Sequence, residues 1–186
     1  MLDIYNTNIP FLVKDLSENN SEQALKLLYG HYFDKLMRFV SIYVKSEPVA
    51  EEIVGDVFLE IWESRKSLLK IQNFNAYIYT VSRNKSIDFL RTNKFSYDQL
   101  DDYPLELFSS TDTTPEDDLI SKELTSKLND AIESLPSQCK IAFKLIREEN
   151  LNYKDAAQIL NVSVKTLEAH ITKAVKTLRL VLKPSA

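Results

Sequence analysis

Aromatic, amide and charged side chains are mixed along the segment NFNAYIYTVSRNKSIDFLRTNK, a combination that suits single-stranded nucleic acid. Rings stack on unpaired bases while cations follow the phosphates, and each stacked base contributes about 1–3 kcal/mol. The candidate contacts are Phe74, Asn75, Tyr77, Tyr79, Arg83, Asn84, Lys85, Asp88 and Arg91. The competing interpretation makes the rings part of the core and makes Asp88 and Arg91 a surface i,i+3 pair.

A second candidate interface lies in LNYKDAAQILNVSVKTLEAHITKAVKTLRLVL, which has the helix, tight turn and capped second helix of a helix-turn-helix. We expect Asn152 to cap the short helix, Asn161 to adopt the left-handed turn conformation and Ser163 to cap the long helix. The start of the second helix would enter the major groove of duplex DNA. Its candidate contacts are Ser163, Lys165, Thr166, Glu168, Ala169, His170 and Lys173.

These groups offer several kinds of contact to DNA. Ser163 and the helix N-terminus can bind a phosphate, and Glu168 can accept from a cytosine amino group. Thr166 and Ala169 can touch a thymine methyl. The sequence allows three interpretations of His170: a phosphate contact, a base contact or a partly buried ring. The alternative for the whole segment is an ordinary amphipathic hairpin with a solvated polar face.

Apolar spacing predicts the helices that must position these groups in the first half of the chain. Residues 21–45 read as one helix with a single apolar face, and a helix over about 75–92 carries the aromatic and basic segment. Between them, SEPVAEEIVGDVFLEIWESR has a wide apolar stripe, and we expect Ser46 to cap it. Its outer face is acidic and is formed by Glu52, Asp56, Glu60 and Glu63.

In the second half of the chain, residues 124–135 are predicted to form a helix that Pro136 ends. Ser137 is then expected to cap a second helix, SQCKIAFKLIREE, which precedes the helix-turn-helix.

The composition of the chain favours an all-helical protein and excludes several functional classes. Only 2 of 186 residues are glycine while 44% are hydrophobic, which is typical of helices with short connections. No apolar run approaches the roughly 20 residues of a membrane span, and the first residues lack the pattern of a signal peptide, so we expect a cytoplasmic protein. The single Cys139 has no internal disulfide partner, and no Cys/His cluster offers metal ligands, so no metal or cofactor is expected.

Charge is distributed unevenly, and this reconciles a net charge of −4 with binding to DNA. Residues 96–124 hold nine acidic residues against Lys122 alone, so the rest of the chain is net positive. The same stretch contains two prolines and no sustained helical period, which predicts an acidic linker between two domains. The residues from 161 onward are basic, as an anion-binding face requires.

Three segments resemble the ECF (extracytoplasmic function) group of the sigma-70 family of bacterial transcription initiation factors. AEEIVGDVFLEIWE resembles conserved region 2.2, NAYIYTVSRNKSIDFLR resembles regions 2.3 and 2.4, and LPSQCKIAFKLIREENLNYKDAAQILNVSVKTLEAHITKAVKTLRLVL resembles region 4. The resemblance spans about residues 21–182 in the family's order. It implies an all-α fold with a region 2 domain over 1–95, an acidic flexible linker over 96–123 and a region 4 helix-turn-helix domain over 124–186.

The resemblance implies a protein that binds core RNA polymerase, recognises and melts promoters, and has no catalytic residues of its own. Glu52, Asp56 and Glu60 would dock on the β′ clamp helices, and the β flap would be a further contact on the core enzyme. The segment from Phe74 to Arg91 would hold the melted −10 element, and the C-terminal domain would read the −35 element as duplex. Promoter DNA is then a partner, an anti-sigma factor is allowed, including a membrane-bound one, and no small-molecule substrate is implied.

Three alternatives predict different features. A response-regulator type of helix-turn-helix regulator would need an α/β receiver domain, yet the first half shows no strand alternation. A helical nuclease would need converging carboxylates or His/Cys ligands. A protein-binding helical module, such as an anti-sigma factor, would not carry the region 2 and region 4 patterns together.

Overall fold

The computed structural model describes residues 8–93 and 127–181, and these residues form two compact units divided at that gap. Within these ranges the chain is helical and contains no strand, so the all-α prediction is confirmed there. The first unit consists of α1 (Ile9–Asn19), α2 (Glu22–Val44), α3 (Glu47–Glu63), a 3-10 helix (Arg65–Lys70) and α4 (Phe74–Thr92). The second consists of α5 (described over 127–133), α6 (Ser137–Arg147), α7 (Tyr153–Leu160) and α8 (Val164–Val181). The predicted linker over 96–123 lies outside the described residues.

Local hydrogen bonds set the ends of α2 and α4. The Ser21 hydroxyl accepts from the Ala24 backbone N–H (3.1 Å), and the Asn73 side chain accepts from the Ala76 N–H (3.1 Å). Lys45 ends α2 in a left-handed conformation with φ of 51°. Ser46 does occupy the position before α3, but its side chain makes no capping hydrogen bond, so that part of the prediction is wrong.

The first unit also contains α1 and the 3-10 helix, which the apolar spacing did not predict. The two elements pack against each other and are joined through Arg65. Its Nε donates to the Asn20 side chain (2.8 Å), its Nη1 donates to the Trp62 carbonyl (2.7 Å), and its guanidinium lies 4.2 Å from the centre of the Trp62 ring. This contact links residues 45 positions apart, which no local pattern reveals.

The second unit has its own core between α5, α6 and α8. Buried side chains from the three helices meet there: Ala131, Ile132, Leu135, Cys139, Ala174 and Leu178. Pro136 stands at the N-cap of α6, in place of the predicted Ser137, because its φ of −52° and ψ of 141° turn the chain into the helix. Ser137 is instead the first helical residue and is buried.

The turn between α7 and α8 has the predicted geometry. The Asn152 side chain accepts from the Asp155 N–H (2.8 Å), and the Ser163 hydroxyl accepts from the Thr166 N–H (3.0 Å). Asn161 adopts the left-handed conformation with φ of 54° and ψ of 45°. The Val162 N–H donates to the Ala157 carbonyl (3.0 Å), which satisfies a carbonyl at the end of α7. Leu167 at 0% exposure then anchors α8 to the unit.

Candidate nucleic-acid interface

The rings of α4 divide into buried and accessible ones. Tyr79 is 1% exposed and packs edge-on against Phe39 at 5.0 Å, and Phe74 is 8% exposed and packs edge-on against Tyr32 at 5.9 Å. For these two rings the competing core interpretation holds. Tyr77 is half-buried, with its ring centre 6.4 Å from that of Phe74. Of the three predicted rings on α4, Tyr77 is therefore the one that an unpaired base can reach without disrupting the core.

Arg83 is half-buried on α4. Its Nε is inaccessible to solvent and donates no hydrogen bond to the described residues. A buried donor without an acceptor carries an unrecovered desolvation cost. If the half-buried side chain turned outward, a phosphate could supply that acceptor, because a guanidinium can donate two parallel hydrogen bonds to it.

The other polar residues of α4 are placed differently from one another. Asn84 is exposed and Asn75 is half-buried. Arg91 donates to Asp88 at 2.6 Å, and both side chains are mostly exposed, so the predicted i,i+3 surface pair is present. Such a pair contributes little to stability and can exchange for contacts with DNA.

Lys85 connects α4 to the acidic face of α3. Its Nζ lies 3.0 Å from Glu60 Oε2, and the two side chains are 28% and 42% exposed. The structure therefore brings together one residue predicted to contact the −10 strand and one predicted to contact polymerase. Neither helix alone predicts this pair, because the two residues lie on different elements.

The outer face of α3 is acidic and open. Glu52 and Asp56 are exposed and Glu60 is half-buried. The same face exposes 54% of Leu59, a residue that the apolar stripe did not include. Its position seven residues after Glu52 places it on the outer face of a helix, and this spacing is the signal that could have identified it.

The start of α8 exposes the side chains that a recognition helix needs. Lys165, Thr166, Glu168, Ala169 and Lys173 are all exposed. Ser163 is exposed as well, but its hydroxyl already accepts from the Thr166 N–H and lies 2.8 Å from the Thr166 hydroxyl. The capping role therefore occupies part of the hydrogen-bonding capacity that a phosphate would use.

His170 lies at the boundary between the exposed face of α8 and the core of the second unit. It is half-buried, and its Nδ1 lies 3.9 Å from the sulfur of the buried Cys139 on α6. Of the three interpretations of His170, the partly buried ring describes its position. His170 and Cys139 lie 31 residues apart in the sequence.

Two family models match this chain. The model described as Sigma-70 region 2 matches residues 28–96, and the model described as Sigma-70, region 4, matches residues 125–178. The first match begins within α2 and extends past the end of α4, and the second covers the described helices of the second unit to within a few residues of the end of α8. Residues 8–93 are helical and contain most of the region 2 match. They therefore do not form the α/β receiver domain that the response-regulator alternative requires.

Relatives and solved structures agree with these matches. The chain is 24% identical to the ECF RNA polymerase sigma-E factor of Haemophilus influenzae, over 84% of this chain and 86% of that protein. It is 26% identical to the ECF RNA polymerase sigma-E factor of Escherichia coli, over 84% and 85%. The sigma factor RpoE from Bartonella quintana, solved in complex with the anti-sigma factor NepR, has a similar fold, with a TM-score of 0.64 and 20% identity over 88% of this chain and 99% of that one.

Proposed function

This chain belongs to the sigma-70 family, in its ECF group, and we propose that it binds core RNA polymerase and directs it to recognise and melt promoters. The observation that supports this most strongly is the ordered pair of matches, region 2 on the first unit and region 4 on the second. Each unit also presents a surface with the chemistry its task needs. We assign region 2 to residues 1–95, the linker to 96–123 and region 4 to 124–186.

In the first unit, α4 holds the single-stranded −10 element. Tyr77 offers a ring for stacking, and Asn84 is exposed for polar contacts. The Nε of Arg83 has no hydrogen-bond acceptor within the described part of the protein. Phe74 and Tyr79 support α4 from the core and act on DNA by positioning these neighbours. Asn75, Lys85, Asp88 and Arg91 complete the surface.

In the second unit, α8 reads the −35 element as duplex. Its exposed N-terminal half fits the major groove, with Lys165 and Lys173 suited to phosphates and Glu168 suited to a base edge. Ala169 presents only a methyl group, which lets the helix approach the bases closely. The Ser163 hydroxyl caps α8, and His170 contacts Cys139 on α6. We include both residues among those that contact DNA.

Core polymerase binds the acidic face of α3. Glu52 and Asp56 are free of ion pairs among the described residues, whereas Glu60 is paired with Lys85. Carboxylates on an open helix face attract a basic partner and guide it into register. The β′ clamp helices and the β flap are the contacts on the core enzyme that we assign to the factor.

The remaining partners and the location follow from this role. Sigma factors as a family are not enzymes, and we extend this to the present chain, with polymerase performing the chemistry. Among the described residues no helix is long and apolar enough to cross a bilayer. We place the protein in the cytoplasm, where polymerase and promoters are. Because RpoE of Bartonella quintana was solved with an anti-sigma factor, an anti-sigma factor is a partner that we propose here too, whether free or membrane-bound.

Reconstituted transcription tests the proposed function. Purified protein with core polymerase should start transcription at specific sites in a promoter library, whereas the protein alone should bind duplex DNA weakly. Asp56→Arg should weaken core binding because it reverses a charge in the centre of the acidic face. The proposal is wrong if the wild-type protein does not bind core polymerase in a pull-down. The docking face alone is wrong if Asp56→Arg binds core polymerase like the wild type.

A further inference from the structure

One of the two glycines of this chain stands in the middle of the open face of α3. Gly55 is exposed within the helix, and a Cβ built on it would meet no atom within 4 Å. No glycine of the described residues has a positive φ, so the backbone at this position does not need one. Glycine is also among the least favourable residues inside a helix. The fold therefore gains nothing from the missing side chain.

An exposed leucine lies one helical turn further along the same face. Leu59 follows Gly55 by four residues, so the two are neighbours on the helix surface. Its side chain is 54% exposed, with Glu52, Asp56 and Glu63 around it on the exposed side of the helix. An apolar side chain within a charged rim is the arrangement found at the energetic centre of protein interfaces.

Gly55 leaves a gap in the surface of α3, and the protruding side chain of Leu59 forms a knob beside that gap. Helices pack at distances set by the side chains at their crossing point, and the smallest residue permits the closest approach. A partner helix crossing α3 at Gly55 would approach closely, and Leu59 would enter an apolar pocket on that helix. The carboxylates on either side would then face cations of the partner, and this complementarity selects a basic amphipathic helix.

We propose that Gly55 and Leu59 are the crossing point at which a basic amphipathic helix of core RNA polymerase packs on α3. This inference rests on the proposed function and deepens it, because it adds an apolar contact of defined shape to an acidic docking face. The acids set the rate and orientation of docking, whereas the gap and the knob set how long the complex persists.

The chain supplies matched controls for both residues. Gly30, the other glycine, is also exposed inside a helix with nothing within 4 Å of its would-be Cβ, and its neighbours one turn away are Lys26 and Asp34. Leu69 is 52% exposed in the 3-10 helix, almost the same as Leu59. Neither control lies on the outer face of α3.

The experiment compares Gly55→Ala with Gly30→Ala and Leu59→Ala with Leu69→Ala in the full chain. Thermal unfolding followed by circular dichroism should show that both glycine variants are as stable as the wild type or more so, because alanine favours a helix. Equilibrium binding to core polymerase should weaken about tenfold or more for Gly55→Ala and for Leu59→Ala, and should be unchanged for both controls.

If a variant is more stable than the wild type but binds core polymerase more weakly, the substitution has affected docking and not folding. The inference is overturned if Gly55→Ala binds core polymerase like the wild type, or if Leu69→Ala loses as much affinity as Leu59→Ala. Either outcome leaves the proposed function intact, because the wild type still binds. Failure of the wild-type protein to bind core polymerase would overturn the inference together with the proposed function.

Discussion

Removing the carboxylate of Glu133 should destabilise the second unit far more than removing the lysine that it pairs with. Lys140 is 1% exposed, and its Nζ lies 3.0 Å from Glu133 Oε2. Lys144 lies 3.2 Å from the other carboxylate oxygen. One acid on α5 thus balances two lysines on α6. In Glu133→Ala the ammonium group of Lys140 would be left buried beside a void.

The expected magnitude follows from burial. Breaking one side of a fully buried ion pair costs about 3–5 kcal/mol. Glu133 is 34% exposed, so water can reach part of the vacated space, and the expected loss is about 2–3 kcal/mol. Lys140→Met removes the buried charge and keeps similar volume, while Glu133 retains Lys144. Its effect should therefore stay within about 1 kcal/mol of the wild type.

Hydrogen exchange on the full chain measures this difference where it occurs. A loss of 2–3 kcal/mol should speed exchange at protected amides of α6 roughly 30- to 150-fold in Glu133→Ala. Trp62, the single tryptophan, lies in the first unit, so its fluorescence melting curve should stay unchanged and serve as an internal control. Equal destabilisation by Glu133→Ala and Lys140→Met would refute the reasoning, since it would show that the charge left behind carries no cost.

The effect should also depend on pH. Burial raises the pKa of Glu133, but the nearby charges of Lys144 and Lys140 and their hydrogen bonds outweigh burial, so the pKa is lowered. Because the folded state has the lower pKa, the carboxylate stabilises the fold above its unfolded pKa and loses that contribution as the pH falls through the folded value. The difference between wild type and Glu133→Ala should be constant above about pH 5 and shrink below about pH 4.

Three further outcomes test other parts of the structure. Arg83→Gln should slow open-complex formation in a stopped-flow assay while core binding is unchanged, and a normal rate would contradict the role of its unpaired Nε. Lys165→Ala and Lys173→Ala should each weaken binding to −35 duplex and lower the slope of affinity against salt by about 1, and an unchanged slope would exclude phosphate contacts. Asn161→Ala should cost about 1 kcal/mol in chemical denaturation because φ is positive there, whereas Asn161→Gly should not, and equal costs would contradict a conformational cause.

The sequence predicted well those features that depend on residues three or four positions apart. The predicted helix over 21–45 corresponds to α2 at Glu22–Val44, and the roles of Asn152, Asn161 and Ser163 in the helix-turn-helix are confirmed. Caps and turns are determined by hydrogen bonds within one turn of chain, so residue type and order are enough to find them. The acidic outer face of α3 was predicted for the same reason.

Features that join distant parts of the chain were decided only by tertiary structure. The segment of α4 shows no single apolar stripe because that helix packs against α1, α2 and α3, and only this packing shows that Tyr79 is core while Tyr77 is accessible. The pairing of Lys85 with Glu60 and the contact of His170 with Cys139 likewise join residues on different helices. The sequence alone predicted most of the helices and their polar faces, because those follow from local periodicity, but it did not predict α1 or the 3-10 helix. Which polar groups are already paired and which stay free for DNA or polymerase was decided by the packing of one helix against another.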